Sequence, residues 1–333
     1  MKHTLPFLLI FIFITTLSCS YKNDGRIRIN IASALKHKHS INELCTEVRV
    51  FPFNLSAQPN FVISPKPVIS VSKRKVFILD STATRIGIFD ASGTLLKVLD
   101  AQEKIIDFFV YEGRVIDILT HRGVVEFSLL SENIINWGEN GGIANEYKAI
   151  GRRGENYIHL IGTLGDCLVD KSIILSSNKH FQGCVNPVAI AGDVNGNRFF
   201  ESGDSLFFNY STSGMVVLYT GDDFIYPIIE WDFGRNKGEK ISPLFTNAQK
   251  MDMVFYFCIY YRGEEYLLIY DQCKEQYIVI DKTREGMRVP LGVISDGVNY
   301  VVCDVDTANK YLNSNLTDTS GKMVLLEYSL IFR

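Results

Sequence analysis

Asp193, Asn195 and Asn197 alternate along one short stretch, Asp193-Val194-Asn195-Gly196-Asn197. Side-chain oxygens at the first, third and fifth positions are what a calcium loop offers a hard cation. The rest of that loop is missing: its sixth position is Arg198 rather than glycine, and its twelfth is Asp204 rather than a bidentate glutamate. An Asp/Asn/Gly turn between two strands accounts for the same residues, and no metal is expected. Asp232-Phe233-Gly234 spells the magnesium motif of protein kinases, but no glycine-rich nucleotide loop or His-Arg-Asp loop accompanies it. His3, His37, His39, His121, His159 and His180 are scattered, and no Gly-x-Ser-x-Gly elbow occurs. Neither a catalytic residue nor a cofactor is read from the sequence.

A different chemistry stands at the start of the chain. Lys2 and His3 precede the apolar run Leu5–Ile14, which leads into Thr16-Leu17-Ser18-Cys19. A basic start, an apolar stretch too short to span a bilayer and a small residue before the cut form a secretory signal. Its end resembles the lipobox of bacterial lipoproteins, with Thr16 where that box usually carries leucine. Cys19 is then the lipid-attachment residue. Acyl chains on its sulfur would hold the mature chain to a membrane, each buried methylene contributing roughly 0.8 kcal/mol.

The remaining residues have to build a body for that anchor. Hydrophobic residues make up 47% of the chain and aromatics 12%, which is enough for a packed core and argues against disorder. The formal net charge is −3, and Arg152-Arg153 and Lys73-Arg74-Lys75 are short basic stretches read as solvated turn residues. No concentrated basic face marks a nucleic-acid binder. Cys45, Cys167, Cys184, Cys258, Cys273 and Cys303 have no metal-ligand spacing. An oxidising compartment allows them to pair; the apolar runs around Cys258 and Cys303 favour buried free thiols.

From Glu43 onward, short runs rich in Val, Ile, Tyr and Phe are punctuated by Gly, Asn, Asp and Ser, the pattern of strands and turns. The clearest unit is Lys75–Asp80, a five-residue break, and Ile86–Leu99 with an Asp90-x-x-Gly93 turn inside it. Tyr266–Asp271 followed by Tyr277–Asp281 reads as a second copy, and Val115–Leu119 with Gly123–Phe127 as a third. The first two copies stand roughly 190 residues apart, or four repeats of about 48, within the period of four-stranded propeller blades. The recurring aspartates Asp80, Asp90, Asp271 and Asp281 follow the repeat, which assigns them to turn capping.

Four features together resemble the six-bladed β-propeller lipoproteins of Bacteroides-type bacteria, which are similar to NHL-repeat propellers. They are the end at Cys19, the Val76–Asp80 plus Ile86–Gly93 unit, Trp231-Asp232-Phe233-Gly234, and the terminal Met323–Tyr328 strand. The resemblance implies an all-β, six-bladed β-propeller of four-stranded antiparallel blades. Its parts are a signal peptide at residues 1–18, a lipidated N-terminus and tether at 19–40, and the propeller at 41–333. Closure is expected to set Glu47–Phe53 beside Met323–Tyr328. The expected protein is a monomer held at the cell envelope by lipid. It would act as a binding or scaffolding module for a glycan, a peptide or an envelope protein, with no nucleic-acid partner. The alternative is a propeller hydrolase or lyase acting on extracellular glycans.

Overall fold

The structure is a computed structural model. It describes residues 27–36, 38–39, 48–65, 67–131, 134–139, 147–153, 156–161, 173–177, 180–185, 199–202, 205–209, 216–219, 225–232, 244–251, 253–261, 264–281, 292–312 and 323–329.

The described residues open with β1 (Ile27–Asn30), α1 (Ile31–Ala34), β2 (Lys38–His39) and β3 (Arg49–Pro52). Six sheets follow in chain order. Sheet I holds β4 (Ile69–Ser72), β5 (Lys75–Leu79), β6 (Arg85–Asp90) and β7 (Leu95–Asp100). Sheet II holds β8 (Ile105–Tyr111), β9 (Val115–Thr120), β10 (Gly123–Ser128) and β11 (Ile134–Glu139). Sheet III holds β12 (Tyr147–Arg153), β13 (Asn156–Ile161), β14 (Ile173–Ser177) and β15 (His180–Val185). Sheet IV holds β16 (Phe199–Ser202), β17 (Ser205–Asn209), β18 (Val216–Tyr219) and β19 (Ile225–Asp232). Sheet V holds β20 (Leu244–Met251), β21 (Val254–Tyr261), β22 (Glu264–Asp271) and β23 (Gln276–Asp281). Sheet VI holds β24 (Val293–Ser295), β25 (Val298–Asp304) and β26 (Met323–Ser329), with the eight-residue helix α2 (Val305–Leu312) between the last two.

The protein is all-β, and each sheet is an antiparallel meander of neighbouring strands. Sheet VI reaches four strands only by taking β3 from the other end of the chain. Val324 pairs with Pro52, Leu325 with Phe51, Leu326 with Val50 and Glu327 with Arg49. This is the expected meeting of the two chain ends. The first strand of each sheet touches the first strand of the next, and β24 of sheet VI returns to β4 of sheet I.

Strands that are apolar without alternation are explained by burial on both faces. In β5, Val76 and Ile78 join Tyr300, Val302 and Leu325 of sheet VI, while Phe77 and Leu79 join Ile105, Ile116 and Ile118 of sheet II. Burial of one such side chain contributes about 1.5–3 kcal/mol. In β6, Gly87 makes room for two buried rings: a Cβ there would lie 2.6 Å from Phe61 and 2.7 Å from Phe89. Gly93 adopts φ +79 at the predicted Asp90-x-x-Gly93 turn, where the Asp90 carboxylate accepts from the backbone N–H groups of Ser92 and Thr94.

Residues 27–36 and 38–39, expected within the tether, lie along two sheets instead. β1 adds in parallel to β19 of sheet IV, and β2 adds in parallel to β23 of sheet V. Ile29, Ile31 and Ala34 are buried with Phe207, Phe255 and Leu268. The physical reason is an alternating apolar set, Ile27, Ile29 and Ile31, interleaved with Arg28 and Asn30. Such alternation suits a strand with one buried face.

Candidate functional site

The junction of sheet VI with sheet I carries the most varied chemistry among the described residues. Val293, Tyr300, Glu327 and Arg49 are cross-strand neighbours in one row over β24, β25, β26 and β3, and cross-strand neighbours share a face. That face looks toward sheet I, where Tyr300 is packed with Val76, Ile78 and Phe89. From the opposite side, the β4–β5 turn brings Arg74. Lys73 and Arg74 have φ of 49 and 58, the two-residue left-handed turn that Asn-Gly makes most cheaply. Ordinary side chains there cost roughly 1–2 kcal/mol per residue.

Between these elements lies a cavity of about 480 Å³ lined by Arg49, Arg74, Asp296, Val298, Tyr300, Glu327, Tyr328 and Ser329. Arg49 stands 3.7 Å from Glu327; its side chain is 67% exposed and that of Glu327 only 10%. The Arg74 guanidinium donates to the Tyr300 hydroxyl. Burial raises the Tyr300 phenol above its ordinary range, Glu327 and Asp296 add to the rise, and Arg74 opposes it. Asp296, at φ 51, sits in the β24–β25 turn. The arrangement presents two guanidinium groups, two carboxylates and a phenol to one opening.

A second cluster joins turns of sheets I and II to the first strand of sheet IV. A Cβ on Gly113, in the β8–β9 turn, would lie 2.8 Å from Ser72 Oγ and 2.9 Å from Lys73 Cδ. The backbone N–H of Glu112 donates to Glu201 Oε1 of β16 at 3.0 Å. Burial pushes the Glu201 carboxyl up to about 7. The Glu112 N–H pulls it down, the Glu112 charge pushes it up, and Lys73 lowers it.

A third cluster clamps sheet II to sheet III. Arg152 of β12 donates to Asp117 at 3.1 Å and to Glu126 at 2.7 Å, and its guanidinium lies 5.2 Å from the centre of the Tyr111 ring. Asp117 is fully buried. Arg152 is therefore not a solvated turn residue: it lies in β12 and reaches sheet II, which nothing in local sequence could reveal. Lys73 and Arg74 are exposed in the β4–β5 turn, as expected, with Arg74 at the rim of the cavity.

Cys19 and the calcium-loop candidates Asp193, Asn195 and Asn197 lie outside the described residues. Asp80, Asp90 and Asp271 sit at turns, and Asp281 is the last described residue of β23. Burial disfavours ionisation of Asp80, but hydrogen bonds from Thr82, Thr84 and Arg85 outweigh it and hold the carboxyl below its usual range. Asp271 accepts from the backbone of Cys273 and Lys274. Asp232 pairs with Asn30 at the end of β19, while Phe233 and Gly234 lie outside the described residues. Cys273 is free and exposed; Cys303 is free and buried. Burial and Asp304 push the Cys303 thiol up to about 12, which leaves it a poor nucleophile. Arg49, Arg74, Tyr300, Glu327 and Glu201 escaped the sequence reading. The one available signal was Lys73-Arg74 in a tight turn lacking Asn or Gly.

No family model matches this chain, and no curated protein matches it. Solved structures do. A protein of Bacteroides fragilis described as exported is similar at a TM-score of 0.67 and 13% identity, over 92% of this chain and 99% of that one. A DUF4221-family protein of Bacteroides vulgatus is similar at a TM-score of 0.53 and 9% identity, over 87% and 98%. At these identities the likeness is one of fold.

Proposed function

We propose that this chain is a six-bladed β-propeller lipoprotein, anchored at the cell envelope through Cys19, that serves as a binding or scaffolding module. Six meander sheets with first strands touching in cyclic order support the propeller reading. The leader-like residues 1–18 before Cys19 and the exported protein among the structural neighbours support the address. The observation that carries the binding role is the charged cavity of about 480 Å³ at the closing seam. Its size falls within the range of small-molecule sites, and its walls come from β3, the β4–β5 turn and sheet VI.

Two experiments test this reading. Cys19→Ala moves the protein from membranes to the soluble fraction; persistence in membranes contradicts the anchor. A glycan and peptide array probed with the purified protein gives binders that Arg74→Gln abolishes; an array without binders contradicts the module.

One observation favours the alternative of a glycan hydrolase or lyase. A carboxyl pushed up to about 7 at Glu201 suits a general acid. Cleavage of a polysaccharide that Glu201→Gln abolishes would establish it.

A further inference from the structure

We infer that the seam cavity binds a zwitterion, a free amino acid or short peptide whose ammonium and carboxylate both stay charged. This rests on the binding-module reading and names the chemistry of that site. Arg49 and Arg74 supply two positive charges to the opening, and Glu327 and Asp296 supply two negative ones. A simple anion, such as a uronate, would gain two cations and meet two carboxylates. A simple cation faces the reverse. A ligand carrying one charge of each sign satisfies both pairs.

Three further observations point the same way. Glu327 is largely withdrawn from water, yet its ion-pair partner Arg49 stands at 3.7 Å, longer than a hydrogen bond. An ammonium could approach Glu327 closely while the exposed Arg49 turns toward a carboxylate, which guanidinium groups grip in a two-pronged fashion. Arg74 is held over the cavity by a turn in which Lys73 and Arg74 both adopt positive φ; strain of this kind concentrates at functional sites. Tyr300 and Val298 give the cavity an aromatic and an aliphatic wall, able to take the uncharged part of the ligand.

The cavity exists only when the chain is closed. Arg49 comes from β3, Arg74 from sheet I, and Asp296 and Glu327 from sheet VI. A bound zwitterion therefore stabilises the closure itself, because a ligand that prefers the folded state raises its stability.

Calorimetric titration of the purified protein tests the assignment. The probes are the twenty amino acids, Ala-Ala and other dipeptides, the same dipeptides acetylated or amidated, and glucuronate. The expected result is binding and a raised melting temperature with at least one zwitterion. Capping either terminus weakens it at least tenfold, and so do Arg74→Gln and Asp296→Asn. Lys73→Asn with Arg74→Gly relaxes the turn, so that variant melts higher than the parent while losing the ligand. Glucuronate or a capped peptide binding as tightly as the zwitterion, in an Arg74-dependent way, overturns the charge assignment and leaves the binding module standing. No Arg74-dependent binder in the set overturns the inference, and the broader array then decides the module separately.

Discussion

The backbone N–H of Glu112 donates to Glu201 Oε1 at 3.0 Å, tying a turn of sheet II to the first strand of sheet IV. Burial keeps that carboxyl near 7 in the folded chain, against an unfolded value of 4.5. The native state holds this proton more tightly than the unfolded state does. The contribution to stability is complete below pH 4.5 and is lost as pH rises through 7, by about 1–3 kcal/mol. Glu201→Gln keeps the acceptor and removes the ionisation. Melting temperatures of variant and parent from pH 4.5 to 8.5 are expected to diverge as pH rises, with the variant higher at pH 8. A gap that ignores pH would contradict the assignment.

Arg152 of sheet III pairs with two carboxylates of sheet II. Arg152→Met leaves Asp117 and Glu126, cross-strand neighbours, facing each other without the Arg152 charge. Breaking a buried pair in this way costs about 3–5 kcal/mol. Urea unfolding should show a lower midpoint with the slope retained; a change under about 1 kcal/mol would place the clamp among weak surface pairs.

Gly87→Ala sets a methyl group against the rings of Phe61 and Phe89. Both rings are buried in the seam core, so the strand and the aromatic pair must move apart. The expected loss is about 1–3 kcal/mol, read as a drop in melting temperature. A neutral result would mean that the rings give way freely.

Removing residues 322–333 takes away β26, the central strand between β25 and β3. Sheet VI then has no bridge between the chain ends. Cooperative unfolding is expected to disappear, leaving a broad transition by near-ultraviolet dichroism. A single sharp melt at the parent temperature contradicts the closure.

The strands were legible because burial on both faces writes long apolar runs, as in Val76–Leu79. That same property hid their phase. Lys75–Asp80 with Ile86–Asp90 forms the second and third strands of its sheet, as do the strands Val115–Thr120 and Gly123–Ser128. Tyr266–Asp271 with Tyr277–Asp281 instead forms the third and fourth. A hairpin buried on both sides carries no mark of its place in the sheet, so the second copy was one strand out of step. Helix α2 was also missed. It is short, and its start is fixed by Asp304, whose carboxylate accepts from the backbone and hydroxyl of Thr307. The seam cavity could not be read at all: Arg49, Arg74, Asp296 and Glu327 share no spacing, and only the meeting of the chain ends unites them.

The belt formed by β1, β2 and β3 runs along sheets IV, V and VI, the three sheets that stand farthest from it in the chain. These strands therefore emerge long before the strands they pair with. Contacts so distant in sequence form slowly. A nascent chain whose first strands lack partners in this way stays open until its later sheets have formed.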